Sequence, residues 1–83
     1  MTRHALGHTL NLMDNSRRRR AFGAKTRALR CEAGLTRCEL AELTGTSAAR
    51  IEEVEKGQAD MGFDLICQLA RALNVPVRDL FEF

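Results

Sequence analysis

The sequence predicts an all-α fold, a compact bundle of five short helices. Apolar residues recur at steps of three and four, glycine or asparagine follows four of these segments, and the alternating pattern of a β-strand does not occur. A single proline and the lack of tryptophan and tyrosine among 83 residues also disfavour a turn-rich β protein. This length suffices for one hydrophobic core.

The first helix is predicted to begin at Ser16, which can cap it, and to stop at Gly34. Residues 1–16 are expected to form a flexible tail, because glycine, asparagine and aspartate interrupt their apolar spacing. The domain then spans residues 17–83. One stripe of the first helix carries Phe22, Thr26, Leu29 and Ala33.

The second helix has a clear start signal. Thr36 and Glu39 have the spacing of a capping box, in which each side chain binds the other residue's backbone N–H. Leu35 and Leu40 flank this box at the spacing of a hydrophobic staple. Gly45 then ends the helix, since glycine adopts the positive φ that a tight turn requires.

The third helix is predicted to run from a Ser47 cap to Gly57. Two short capped helices separated by a glycine turn are the elements of a helix-turn-helix. The spacings sharpen this prediction, because a small residue, the turn glycine and two inward β-branched residues fall where the motif needs them. These are Ala41, Gly45, Ile51 and Val54.

The fourth helix is predicted from near Gly62 to Asn74, and a short fifth helix follows Pro76. The core-facing side of helix four is assigned to Phe63, Ile66, Cys67, Ala70 and Leu73. Further apolar residues exceed what one core requires and predict a dimerisation surface. They are Leu65, Leu69, Leu80, Phe81 and Phe83. If Leu69 and Phe81 instead close the core, Leu65 and Phe83 remain the main interface candidates.

The charges divide the chain into a basic and an acidic part. Residues 1–33 hold eight of the thirteen Lys and Arg residues but two of the eleven acidic ones. The run Arg17, Arg18, Arg19 and Arg20 lies in this basic part. Such a charge distribution suits a polyanion, and nucleic acid is the usual one inside cells. The alternative is that the run only solvates a helix entry or a flexible lead-in.

Two stretches, LRCEAGLTRCELAELTGTSAARIEEVEKG and LARALNVPVRDLF, resemble the phage repressor and Cro-like helix-turn-helix family, also called Xre-type regulators. The resemblance covers Phe22 to Phe81. It implies a lambda-repressor-like bundle that usually binds DNA as a dimer, with the third helix in the major groove. It also implies that Arg30 and Glu55 form a partly buried pair linking helices one and three, outside the set that reads DNA.

The positions carried over from the family imply a set of DNA contacts. These are Arg37, Ser47, Ala48, Ala49, Arg50 and Glu53, with Lys56 near a phosphate. Relatives often hold glutamine or another hydrogen-bonding residue at Arg37, Ala48 and Ala49. Arg37 and Arg50 are the best candidates for a phosphate clamp or a bidentate guanine contact. Alanine can contact only a thymine methyl group and glutamate can accept from cytosine N4, so direct base readout is expected to be sparse. The run Arg17 to Arg20 would then supply affinity through the phosphates.

Together these features predict a stand-alone, dimeric, sequence-specific transcriptional regulator that binds double-stranded DNA at an inverted repeat. The alternative is a protein-interaction module of the same fold, such as an antitoxin or anti-repressor, because Glu52 and Glu53 lie on the exposed side of helix three. Converting Arg50 to alanine tests the first hypothesis, and reversing the charge of the two glutamates tests the second.

Other classes of function have little support in the sequence. Glycine-rich phosphate loops and metal-ligand clusters do not occur, and His4 and His8 lie in the expected tail, so we expect neither an enzyme nor a cofactor or metal site. Apolar runs of membrane-spanning length do not occur either, so we expect a cytoplasmic protein without membrane attachment. Three cysteines cannot all pair within one chain, which favours a reducing compartment.

Overall fold

The computed structural model describes the backbone of residues 2–83 and the side chains of residues 15–83. Within these residues the chain forms four α-helices and a terminal 3-10 helix, with no strand. The helices are α1 (Thr2–Glu32), α2 (Arg37–Thr44), α3 (Ala48–Glu55) and α4 (Phe63–Leu73), followed by the 3-10 helix Val77–Phe81. The predicted all-α architecture with five helical elements is therefore confirmed.

Helix α1 begins earlier than the sequence pattern indicated. It starts at Thr2 and passes through Ser16, which is an interior residue instead of a cap. Proline is absent from this segment and one interior glycine costs a helix only about 1 kcal/mol, so backbone propensity permits the continuation. The division into a tail at 1–16 and a domain at 17–83 stays a prediction, and His4 and His8 lie outside the residues with described side chains.

Each of these α-helices ends in the same hydrogen-bonded turn. A residue one or two positions after the helix adopts the left-handed conformation, and the next N–H returns to a carbonyl five residues earlier, as in a Schellman motif. The left-handed residues are Gly34, Gly45, Gly57 and Asn74. The returning bonds are Leu35 to Arg30, Thr46 to Ala41, Gln58 to Glu53 and Val75 to Ala70. The four predicted helix ends are confirmed.

The starts of α2 and α3 also follow the sequence signals. The Glu39 N–H donates to Thr36 Oγ1 at 3.0 Å, and the Thr36 N–H donates to Glu39 Oε1 at 2.8 Å. The Ser47 hydroxyl accepts from the Arg50 N–H at 3.1 Å. Both helices are therefore capped by side chains, which fixes the turn between them and the direction in which α3 leaves it.

The core lies where α1, α2, α3, α4 and the 3-10 helix meet. Its largest fully buried apolar side chains are Phe22, Leu40, Ile51, Val54, Leu69 and Leu80. Helix α1 crosses the end of α3 at Gly23, where an added Cβ would collide with the backbone oxygens of Val54 and Glu55. Because only glycine permits this approach, Gly23 sets the distance between the two helices.

Two assignments in the fourth and fifth helices need correction. Leu69 and Leu80, placed in the dimerisation surface, are completely buried in the core, because α4 and the 3-10 helix turn these residues inward. Phe63, placed on the core-facing side, is 77% exposed. It is the first residue of α4, and helical side chains lean towards the N-terminus, so its ring projects past the edge of the bundle.

Candidate nucleic-acid interface

Helix α3 presents one face to the core and the opposite face to solvent. Ile51 and Val54 are fully buried, while Ala49, Glu53 and Lys56 are exposed on the other side. This orientation agrees with the sequence prediction that Ile51 and Val54 point inward. An eight-residue helix exposed along one side has the dimensions that fit a DNA major groove.

A buried ion pair fastens α3 to α1. Arg30 Nε donates to Glu55 Oε2 at 2.6 Å, and Arg30 Nη2 donates to Glu55 Oε1 at 3.2 Å. Arg30 Nη1 also donates to the Leu35 backbone oxygen at 2.8 Å, which ties in the turn before α2. The hydrogen bond from Arg30 to Glu55 raises the pKa of the arginine despite its burial. The pair implied by the family resemblance is confirmed.

Arg37 contributes a third hydrogen bond to the Glu55 carboxylate, a contact that the sequence did not reveal. Its Nε donates to Glu55 Oε1 at 3.1 Å, and its side chain is half-exposed. Arg37 is the first residue of α2, so this bond joins the start of α2 to the end of α3. Sequence spacing carries no signal for this contact, because the two residues are eighteen positions apart.

The charged groups on α3 are paired along the helix and with the loop after it. Lys56 Nζ lies 2.7 Å from Glu52 Oε2, and the hydrogen bond from Lys56 is the main cause that lowers the pKa of Glu52. Arg50 Nη2 donates to the Asp60 backbone oxygen at 2.8 Å, and Arg50 Nη1 lies 4.0 Å from Glu53 Oε1. The exposed side of α3 therefore carries little unbalanced charge.

The arginine run lies within α1, close to the end of α3. Arg19 Nη2 lies 2.8 Å from Asp60 Oδ1, and the backbone of Arg20 packs against Gly57, where an added Cβ would collide with it. All four arginines are exposed. Because consecutive helical residues are rotated by about 100°, these side chains diverge and cannot all face one phosphate strand. The run therefore lies in a helix, as the helix start predicted at Ser16 implied.

The apolar residues proposed for dimerisation differ in their exposure to solvent. Phe81 and Phe83 are exposed and Leu65 is half-buried, so these three remain candidates. The Phe81 ring packs on Phe22, with their centroids 5.0 Å apart. Three further apolar side chains are exposed that the predicted dimerisation set does not contain, namely Phe63, Leu43 and Val77.

The three cysteines differ in their exposure to solvent. Cys31 and Cys38 are exposed, while Cys67 is half-buried instead of fully buried. Among the side chains of residues 15–83, no group of three histidine, cysteine or acidic residues could hold a metal ion. In the part of the chain that the structure describes, every helix is too short or too polar to cross a membrane.

Comparison with known proteins agrees with this geometry. Residues 21–82 match the helix-turn-helix domain family. The restriction-modification controller protein C.AhdI from Aeromonas hydrophila is 37% identical, with a TM-score of 0.73 over 75% of this chain and 94% of that one. The clp gene regulator ClgR from Corynebacterium glutamicum is 34% identical, with a TM-score of 0.71 over 75% of this chain and 80% of the other. No curated protein sequence matches the chain.

Proposed function

Because the chain belongs to the helix-turn-helix domain family, with an Xre/Cro-like regulator fold, we propose that it is a dimeric, sequence-specific transcriptional regulator in the cytoplasm. The exposed side of α3, opposite the buried Ile51 and Val54, carries this proposal. It enters the major groove of double-stranded DNA, as recognition helices do. The protein acts without a cofactor and catalyses no reaction.

The contacts divide into those that read bases and those that hold phosphates. Ser47, Ala48, Ala49 and Glu53 face the base edges. Arg37, Arg50 and Lys56 hold the phosphates on either side, where an arginine exchanges its intramolecular partner for a phosphate oxygen. The arginine run of α1 adds further phosphate contacts, with Arg19 and Arg20 nearest to α3 because they contact the loop that follows it. Arg17 and Arg18 extend this basic surface.

A second copy of the chain covers Phe81, Phe83 and Leu65. Phe81 and Phe83 lie at the end of the chain, and Leu65 is half-buried on α4. Burying such side chains against a partner removes apolar area from water, which favours association. A two-fold dimer places two recognition helices about 34 Å apart, so the DNA site is an inverted repeat.

Selection from a random DNA library at two salt concentrations tests this function. We expect enrichment of an inverted repeat that persists at the higher salt concentration, because base contacts do not depend on counterion release as phosphate contacts do. Binding that disappears with salt and enriches no motif would contradict a sequence-specific regulator and leave only electrostatic attraction.

A matched pair of variants tests the docking of α3. Arg50→Ala removes a proposed phosphate contact beside the reading face, whereas Arg71→Ala removes an exposed arginine on α4. We expect the first to weaken binding to the selected site and the second to leave it unchanged, with both variants retaining helical circular dichroism. Equal affinities of the two variants would contradict the docking.

Sedimentation tests the dimer. Phe83→Ser should shift the monomer–dimer equilibrium towards monomer, while Leu43→Ser serves as the control, since both residues are 60% exposed and only Phe83 belongs to the proposed interface. Dissociation constants that are unchanged in both variants would contradict the interface.

The acidic residues on α3 keep a protein-interaction module as the second candidate. Glu53 is exposed and Glu52 is half-exposed, and carboxylates on a recognition helix repel phosphates. Reversing both charges to lysine should tighten non-specific DNA binding in a regulator. In an interaction module the same change should abolish capture of the protein partner.

A further inference from the structure

Most hydrogen-bonding groups around the reading face of α3 already have a partner within the chain. Ser47 Oγ accepts from the Arg50 N–H and caps the helix, which leaves its O–H as a donor. The cations beside the face also have acceptors at short distances. These contacts are Arg50 to the Asp60 backbone oxygen at 2.8 Å, Lys56 to Glu52 at 2.7 Å, and Arg37 to Glu55 at 3.1 Å.

Besides the Ser47 hydroxyl, two kinds of side chain can contact bases, namely alanine methyl groups and a carboxylate. Ala49 is exposed and Ala48 is half-exposed, and each offers a methyl group with no hydrogen-bonding capacity. Glu53 is exposed, and its nearest cation, Arg50, is 4.0 Å away, so its carboxylate retains acceptor positions. The face therefore combines methyl groups with one acceptor and lacks the amide side chains that recognise adenine in two bonds.

Ala49 and Glu53 stand on the same side of α3. They are four residues apart, which rotates them by only about 40° and separates them by roughly 6 Å along the helix axis. Base pairs in DNA repeat every 3.4 Å or so, so the two side chains reach base pairs within about two steps of each other. A methyl group matches the C5-methyl of thymine, and a carboxylate accepts from the N4 amine of cytosine.

We propose that α3 recognises a half-site with a thymine methyl group packed on Ala49 and a nearby cytosine amine bound by Glu53. Ala48 borders the same methyl contact. This inference rests on the proposed DNA-binding function and states which bases that function reads. The arginines around the face hold phosphates and contribute affinity without sequence preference.

Deoxyuridine substitution tests the methyl contact directly. Each thymine of the selected half-site is replaced in turn by deoxyuridine, which removes the C5-methyl and leaves the pairing edge unchanged. We expect one thymine per half-site at which the dissociation constant rises about fourfold, the effect of removing one buried methyl group. The other thymines should tolerate the replacement.

Variants of the protein identify which residue makes this contact. Ala49→Gly removes the protein methyl group, so the sensitive thymine should lose most of its preference over deoxyuridine. Ala28→Gly is the control, because it makes the same change at an exposed position of α1 and should leave the fourfold ratio intact. The ratio compares two DNA probes for one protein, so a change in protein stability cancels.

The cytosine contact is tested by repeating the library selection with Glu53→Gln and Glu52→Gln. Both variants lose one negative charge, so both bind DNA more tightly in general. Only Glu53→Gln should lose the cytosine preference, at a single position of each half-site, and gain adenine there, since glutamine binds adenine in two bonds. Glu52→Gln should retain the original motif.

The outcomes separate the two proposals. An enriched motif whose thymines all tolerate deoxyuridine, or whose cytosine preference survives in Glu53→Gln, overturns this assignment while the regulator stands. A library that enriches no motif overturns both, because without sequence preference there is no half-site for α3 to read.

Discussion

Arg30 and Glu55 form an ion pair whose Nε and Oε2 atoms lie 2.6 Å apart, with their side chains only 10% and 2% exposed. The pair joins α1 to α3, and Arg37 binds the same carboxylate from α2. One buried carboxylate therefore holds three helices together. Replacing a buried pair by apolar residues is often neutral, whereas removing one partner leaves an uncompensated charge.

Glu55→Gln should lower the free energy of unfolding by about 3 kcal/mol, because Arg30 stays buried without its counterion. Urea unfolding followed by circular dichroism measures this loss. Glu52→Gln is the control, since the solvent-exposed pair of Glu52 with Lys56 should contribute much less to the free energy of unfolding than the buried pair. Losses of the same size in the two variants would show that burial of the first pair has no energetic consequence.

Gly23→Ala should destabilise the protein although alanine is the better helix former. Propensity alone predicts a gain of about 1 kcal/mol. The added Cβ collides with the backbone oxygens of Val54 and Glu55, and overpacking of this kind typically costs about 1 to 3 kcal/mol. Thermal unfolding measures the balance of the two effects, and we expect a lowered thermal midpoint. A raised midpoint would contradict the close approach of α1 and α3.

Gly45 and Gly57 provide a matched comparison of backbone strain and steric collision. Both have φ values near +70°, so alanine at either costs about 1 kcal/mol through its left-handed conformation. A Cβ at Gly45 meets nothing within 4 Å, whereas a Cβ at Gly57 lies 2.7 Å from Arg20 Cα. Chemical denaturation should therefore show a clearly larger loss for Gly57→Ala, and equal losses would contradict the packing of the arginine run on this turn.

The lowered pKa of Glu52 should depend on Lys56. The hydrogen bond from Lys56 is the largest cause of the shift, followed by its charge, so Lys56→Gln should raise the pKa of Glu52 towards the ordinary glutamate value. A pH titration of the side-chain carboxyl carbon by NMR measures this, with Arg78→Gln as a distant control. An unchanged pKa in Lys56→Gln would rule out this pair in solution.

The lowered pKa of Glu52 also makes the stability of the protein depend on pH. The folded protein holds the pKa of Glu52 below its unfolded value, so the stabilisation by the Glu52–Lys56 pair is present at pH values above the ordinary glutamate pKa. It is lost as the pH falls through the lowered folded value. Lys56→Gln should therefore lose less stability than the wild type over this acidic range.

Local sequence signals predict much of the fold. The Thr36 and Glu39 box, the Ser47 cap and the left-handed glycines act within four or five residues, so each can be recognised without a tertiary partner. The spacing of Ile51 and Val54 likewise identifies the buried face of α3. These elements, the helix-turn-helix and the basic character of residues 1–33 were therefore predictable.

Other features depend on which faces meet in space. Leu69 and Phe63 both belong to the apolar pattern of α4, yet one is buried and the other projects from the edge. Periodicity cannot separate them, because it records the width of an apolar stripe and not where neighbouring helices end.

The sequence by itself determined where the four α-helices end, the caps of α2 and α3, and the exposed face of α3, but not where α1 begins. Tertiary structure alone decided that Arg37 shares the carboxylate of Glu55, that Gly23 must lack a Cβ, and that Arg19 meets Asp60. The physical reason is the separation in sequence between the residues that interact. Caps and turns are satisfied by neighbours along the chain, whereas each of these contacts requires two segments far apart in sequence to be brought together by the packed core.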